Sequence, residues 1–143
     1  MIKLILNHKD LIRQEVPQKM NLIETYDMNI VRYCIDMFHT DVKWDGMFTA
    51  DDAEERFRNG YKLYVAYYDN NIFGYCWLAP TEIGVRIVNL FCKKTNSLKR
   101  YGAVHLLYLM LSKYAYGIIT AEADDWNTAS IRSAELNGMR RMD

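Results

Sequence analysis

Apolar and polar positions alternate along the chain in short segments of two different periods. Residues 2–6 form a short apolar run that suits a first strand, with Asn7 or Asp10 able to cap the next segment. Over residues 18–38, Leu22, Ile23, Tyr26, Ile30, Cys34 and Met37/Phe38 recur at helical spacing. Pro17 stands where a helix can begin without losing a needed donor. This predicts one long amphipathic helix. Residues 39–48 break the pattern and read as a loop. Thr49-Ala-Asp-Asp then opens a short helix, with Thr49 as cap, acids in the first turn and Gly60 as terminator. Residues 61–68 and 72–78 are strands joined by the turn Asp69-Asn70-Asn71, a hairpin, and Gly74 marks a bulge or a close backbone approach. A central strand starts at Val85. A helix over about 99–113, a strand over 116–123 and a helix over 128–136 come next. Asn137-Gly138 caps that last helix, and residues 139–143 begin one more strand.

The order is β-α-α-β-β-β-α-β-α-(β). It predicts a single α/β domain with a mixed sheet: a three-strand antiparallel meander, then a right-handed parallel β-α-β crossover. The central strand leads into Lys-Lys-Thr-Asn-Ser-Leu-Lys-Arg-Tyr-Gly and then an apolar helix, so free backbone N–H groups and a positive helix end meet at one point. Such a turn suits an anion, although a plain β–α connection with surface lysines has the same composition. Lys93, Lys94, Lys99 and Arg100 make it the densest basic run in the chain, which favours phosphate binding over a solvated loop. Ligands of open α/β sheets gather at the carboxyl ends of strands near a switch in strand direction, where this turn falls.

Composition narrows the classes. A chain of 143 residues, 50% hydrophobic and 25% charged, is one domain with a sizeable core. Zero formal net charge gives no general attraction to nucleic acid or anionic membrane, so neither is expected as a partner. Three cysteines (Cys34, Cys76, Cys92) without CxxC spacing argue against a disulfide framework. Three scattered histidines provide no metal site. The start lacks the apolar core and cleavage site of a signal peptide, and no apolar run approaches a membrane span; the expectation is a cytoplasmic protein.

With this order the chain resembles the GNAT superfamily of acyl-CoA-dependent N-acetyltransferases, over nearly its whole length. Members carry an Asn after the fifth strand, a small residue three later and a Gly-Met or Gly-aromatic pair eleven and twelve later. Asn127, Ser130, Gly138 and Met139 match. The resemblance implies an enzyme that transfers acetyl from acetyl-CoA to an amine. The central-strand end and basic turn (Phe91, Cys92, Lys93, Ser97, Lys99, Arg100, Tyr101, Gly102, Ala103) would then hold the cofactor together with Asn127 and Ser130. It also implies an acceptor wall between the first two helices, where Asp41, Trp44 and Asp45 would suit a cationic amine.

Departures from the pattern bear on catalysis. The pyrophosphate-loop spacing keeps both small positions in neither register, because Arg100 stands where one count requires glycine. The family's tyrosine position, seven after the Asn, is Ala134, and residues 87–90 hold no acid. Tyr101 as proton donor and Glu122 as base are the candidates left, with Tyr108, Asp124 and Glu82 behind them. These losses also fit a second expectation: a catalytically weak or inactive GNAT-like binding or structural module, for example a phage protein associated with the virion. Only residues 139–143 come after the last helix, where the family adds two strands, so a homodimer could cover that sheet edge.

Overall fold

A computed structural model describes residues 1–41, 48–93 and 102–142. Among these, seven strands form one sheet: β1 (Ile2–Asn7), β2 (Met20–Thr25), β3 (Lys62–Tyr68), β4 (Asn71–Pro80), β5 (Gly84–Cys92), β6 (Ile118–Ala123) and β7 (Arg140–Arg141). Four helices flank it: α1 (Met28–Asp41), α2 (Ala50–Arg58), α3 (Gly102–Lys113) and α4 (Thr128–Leu136). The strand order is β2-β3-β4-β5-β6-β1-β7. Strands β2 to β5 form an antiparallel meander, and β5 pairs with β6 in parallel, across α3. The mixed sheet and its crossover are as the sequence predicts.

The long helix over residues 18–38 is corrected. Its first part is β2, paired with β3 from Met20↔Tyr68 to Thr25↔Leu63, so the meander has four strands rather than three. Met20 and Leu22 are buried while Asn21 and Ile23 face solvent, a period of two. The helix begins only after Asp27, whose side-chain oxygen accepts from the Asn29 N–H at 2.9 Å and whose carbonyl accepts from the Val31 N–H at 3.0 Å. It also continues through Asp41, into the segment read as a loop. The start of α3 expected at Lys99 lies outside the described residues.

Other local expectations hold. Thr49 and Asp52 form a capping box: the Thr49 hydroxyl accepts from the Asp52 N–H at 3.2 Å, and the Asp52 carboxylate accepts from the Thr49 N–H at 2.8 Å. Asp69 and Asn70, at φ 49° and 65°, make the two-residue β3–β4 turn. Gly74 is a close approach, since a Cβ there would meet the Phe91 carbonyl oxygen and Leu106 Cδ1.

Two apolar layers sandwich the sheet. Leu4, Leu6, Cys76, Val85, Leu106, Met110, Ile119 and Ala134 pack beneath α3 and α4. Val31, Cys34, Ala53, Leu63, Val65, Tyr75 and Trp77 pack beneath α1 and α2. On the far side of β6 the place next to it is taken by β1, from Ile2↔Ala123 to Asn7↔Ile118, and β7 adds Leu4↔Arg141 and Ile5↔Arg140.

Candidate functional site

The parallel pairing of β5 and β6 is brief: Gly84↔Ile118, Val85↔Ile119, Arg86↔Thr120. Beyond it β5 runs with β4 while β6 runs with β1, and the two strands part. The β6-facing edge of residues 87–92 therefore has no strand partner among the described residues, and open edges of this kind accept extended ligands through main-chain bonds. The described part of α3 begins with buried Gly102 and half-buried Ala103, downstream of this edge in the chain. An open edge of this kind is suited to an extended, amide-containing arm.

Side chains expected at the cofactor divide into three groups. Phe91 packs on the α1 side, edge-on to Phe38 at 5.8 Å and tilted against Tyr75 at 5.7 Å, whereas Cys92 packs towards α3. Burial raises the Cys92 thiol to about 11, so it is neutral near pH 7 and no nucleophile. The Lys93 N–H donates to the Phe73 carbonyl at 2.6 Å. Lys94, Ser97, Lys99, Arg100 and Tyr101 lie outside the described residues, as do Trp44 and Asp45. Asp41 is the last residue of α1.

Asn127 and Ser130 have a structural reason for their spacing. Asn127 caps α4, its Oδ1 accepting from the Ser130 N–H at 3.2 Å. At the other end Gly138 takes φ 103°, and a Cβ there would lie 2.8 Å from the Asp10 carbonyl oxygen. Met139 is 3% exposed, in the core. The family-like spacing thus measures one helix from its cap to its glycine. Ala134 is 4% exposed and packs in the α3-side core. Glu122 is exposed, opposite Lys3 on β1; because Ile119 and Ala121 pack towards α3, alternation turns Glu122 to the other face.

The sequence reading missed a second feature, a pocket of about 280 Å³ on the α1/α2 side. Among the described residues it is walled by Phe38, Phe48, Tyr75 and Trp77, with Arg56, His39 and Asn89 as its polar groups. A bulge in β5 builds it. Trp77 pairs with Asn89 but Leu78 pairs with Ile87, so Val88 is an extra residue. Val85 and Ile87 pack towards α3; without the bulge Asn89 would share their face. Instead its side-chain oxygen accepts from Arg56 Nη1 at 2.9 Å. The Arg56 guanidinium lies 4.4 Å from the Phe48 ring centre and 5.2 Å from that of Trp77. Burial, opposed by surrounding groups and aided by Arg86, lowers the Arg56 pKa while leaving it charged. His39 Nε2 is 3.2 Å from the Phe48 carbonyl oxygen, linking the end of α1 to the approach to α2. A spacing of residues 39, 56, 75, 77 and 89 carries no motif, and no local signal in the sequence joins them.

No protein-family model matches the chain, and no curated protein matches it in sequence. Its fold does match solved structures. A GCN5-related N-acetyltransferase from Sphaerobacter thermophilus aligns with TM-score 0.69 at 8% identity, over 99% of this chain and 48% of that one. An aminoglycoside acetyltransferase from an uncultured soil metagenomic sample, in complex with sisomicin, gives 0.66 at 14% identity, over 87% and 90%. A tandem GNAT protein from the clavulanic acid biosynthesis pathway gives 0.61 at 13% identity, over 98% and 49%. The chain also spans 57% and 53% of two similar structures, from Staphylococcus epidermidis and Kribbella flavida, so it covers about half the length of several of them. At such identities the likeness is one of fold. With its meander, its parallel crossover and its parted β5 and β6, the chain has the fold of the GNAT acetyltransferases, in a divergent form.

Proposed function

We propose that the protein is an N-acetyltransferase that passes an acetyl group from acetyl-CoA to an amine. The observation that carries this reading is the parting of β5 from β6 upstream of α3, with an aromatic pocket on the opposite face at the β5 bulge. Bound there, acetyl-CoA supplies an activated thioester and a thiol leaving group. The open edge of residues 87–92 would hold its amide arm, and Lys93 with Lys99 and Arg100 would meet its phosphates. Pocket residues would hold the neutral amine so that its nitrogen bonds to the carbonyl carbon as the carbon–sulfur bond breaks. A backbone N–H of β5 near the bulge would bind the carbonyl oxygen. The amine's proton would leave through water towards Glu122, and Tyr101 would protonate the departing sulfur. Ala134 has no hydroxyl to give, so without Tyr101 in that role turnover would be lower by ~10²–10⁴-fold than with a full set of groups.

The buried Ala134 is also what favours the second reading, a non-catalytic CoA-binding or structural module. Either reading is compatible with a second copy across the β7 edge, which Arg140 and Arg141 oppose by their charge; light scattering at high concentration decides that. No helix among the described residues is long and apolar enough to cross a membrane.

Thermal unfolding with acetyl-CoA tests the proposal. Ligand at about 100 times its dissociation constant stabilises by about 2.7 kcal/mol. For a domain of this size the midpoint should rise by roughly 5–10 °C. Arg100→Glu should remove most of that rise and Glu54→Gln, on α2, none of it. Absence of any rise at millimolar acetyl-CoA or CoA rejects the cofactor, and a rise without product formation favours the non-catalytic module.

A further inference from the structure

Arg56 is half-buried, and among the described residues its guanidinium has one hydrogen bond, to the neutral Asn89 side chain. The remaining N–H donors have no acceptor among the described residues, and no carboxylate there comes within ion-pair distance. Asp52, one turn earlier on α2, already accepts from the Thr49 N–H and hydroxyl. Arg86 on β5 adds a second positive charge near enough to disfavour the charge on Arg56. A half-buried guanidinium gives up part of its hydration without gaining an anion, and the aromatic rings around it return only part of that cost. The group nevertheless stands at the wall of an apolar pocket. A planar fork with unused donors, fixed in orientation by Asn89 and stacking, is arranged for a carboxylate supplied from outside.

The rest of the pocket limits what brings that carboxylate. Its walls are aromatic (Phe38, Phe48, Tyr75, Trp77), and 280 Å³ is room for on the order of ten water-sized groups. This is the size of one amino acid with a large apolar side chain.

We propose that the acceptor is a single amino acid with a large apolar side chain, whose carboxylate is bound by Arg56 and whose amine is presented towards the β5 bulge. This rests on the acetyltransferase reading and reverses the charge expected of the acceptor site. A cationic amine drawn by Asp41 and Asp45 is replaced by a zwitterion held at its anionic end.

The test uses the whole protein with CoA present and calorimetric titration of two probes: phenylalanine, and phenethylamine, which keeps the ring and amine but lacks the carboxylate. Wild type should bind phenylalanine about 10- to 100-fold more tightly, the usual discrimination from a hydrogen-bonded charged group. Arg56→Gln should bring the two affinities together. Should that variant fail to fold, Asn89→Asp serves instead, since it gives the guanidinium an internal carboxylate and should abolish the preference without unfolding the chain. Arg56→Gln, which lies on α2 rather than on the β6-facing edge of residues 87–92, should keep the thermal shift with acetyl-CoA, measured before any acceptor is added. Equal or tighter binding of phenethylamine by wild type, or no heat from either probe, overturns the inference. Loss of the acetyl-CoA shift in wild type overturns the acetyltransferase reading itself, a separate result.

Discussion

At Thr49 and Asp52 two side chains satisfy each other's backbone N–H groups, and the bonds received by Asp52 favour its ionised form. Hydrogen bonds from the Thr49 N–H, then the Thr49 hydroxyl, hold the Asp52 carboxyl below its ordinary pKa. A carboxyl depressed on folding adds stability that is present above the unfolded value of about 3.9 and disappears as pH falls through the folded one. The stability difference between wild type and Asp52→Ala should therefore be constant around neutrality and shrink on acidification below about pH 4. A denaturation series across that range checks it; a difference that persists at the acid end would mean Asp52 acts through packing alone. Arg56, one turn on, shows the opposite situation: its charge is set among rings rather than satisfied by a neighbour, so its effect belongs to ligand binding more than to folding. Asn127 is the reverse case. A residue expected at the cofactor has sufficient cause in the cap it makes for α4.

Between β4 and β5, Gly74 sets how closely the strands and α3 approach. A methyl added there meets a main-chain oxygen of Phe91, which cannot rotate away, and Leu106 Cδ1 at 2.7 Å. Gly74→Ala should cost about 1–3 kcal/mol through overpacking, seen as a lower denaturant midpoint at unchanged slope. Near-neutral stability would show that the strands can separate without loss. The β5 bulge is a device of the same scale. One extra residue, Val88, moves Asn89 from the α3 face to the α2 face and creates the contact that orients Arg56.

Across the whole molecule, β1 joins the beginning of the chain to its end. Leu4 lies opposite Ala121 on one side and Arg141 on the other, and is 2% exposed. Leu4→Ala should therefore destabilise the entire fold by about 2–5 kcal/mol. Arg141→Ala, which removes a 3.6 Å ion pair to Glu135 between exposed side chains, should stay within about 0.5 kcal/mol. Parallel chemical-denaturation curves for the two variants check this. A small effect at Leu4 would mean that β1 is not part of the cooperative unit.

Features with a local cause were legible in the sequence. The Asp69-Asn70 turn, the Thr49 box, the span of α4 between Asn127 and Gly138, and the succession of strand β5 and helix α3 each depend on residues close in sequence. Residues 20–25 were not legible, because over six residues periods of two and 3.6 bury many of the same positions; the free edge of β3 decided between them. The place of β1 between β6 and β7 and the meeting of Arg56 with Asn89, 33 residues apart, were not legible either. Both depend on which strand edge and which face remain open once the sheet has formed. That is a property of the assembled layers rather than of any window of sequence, and the composition of the pocket was settled with it.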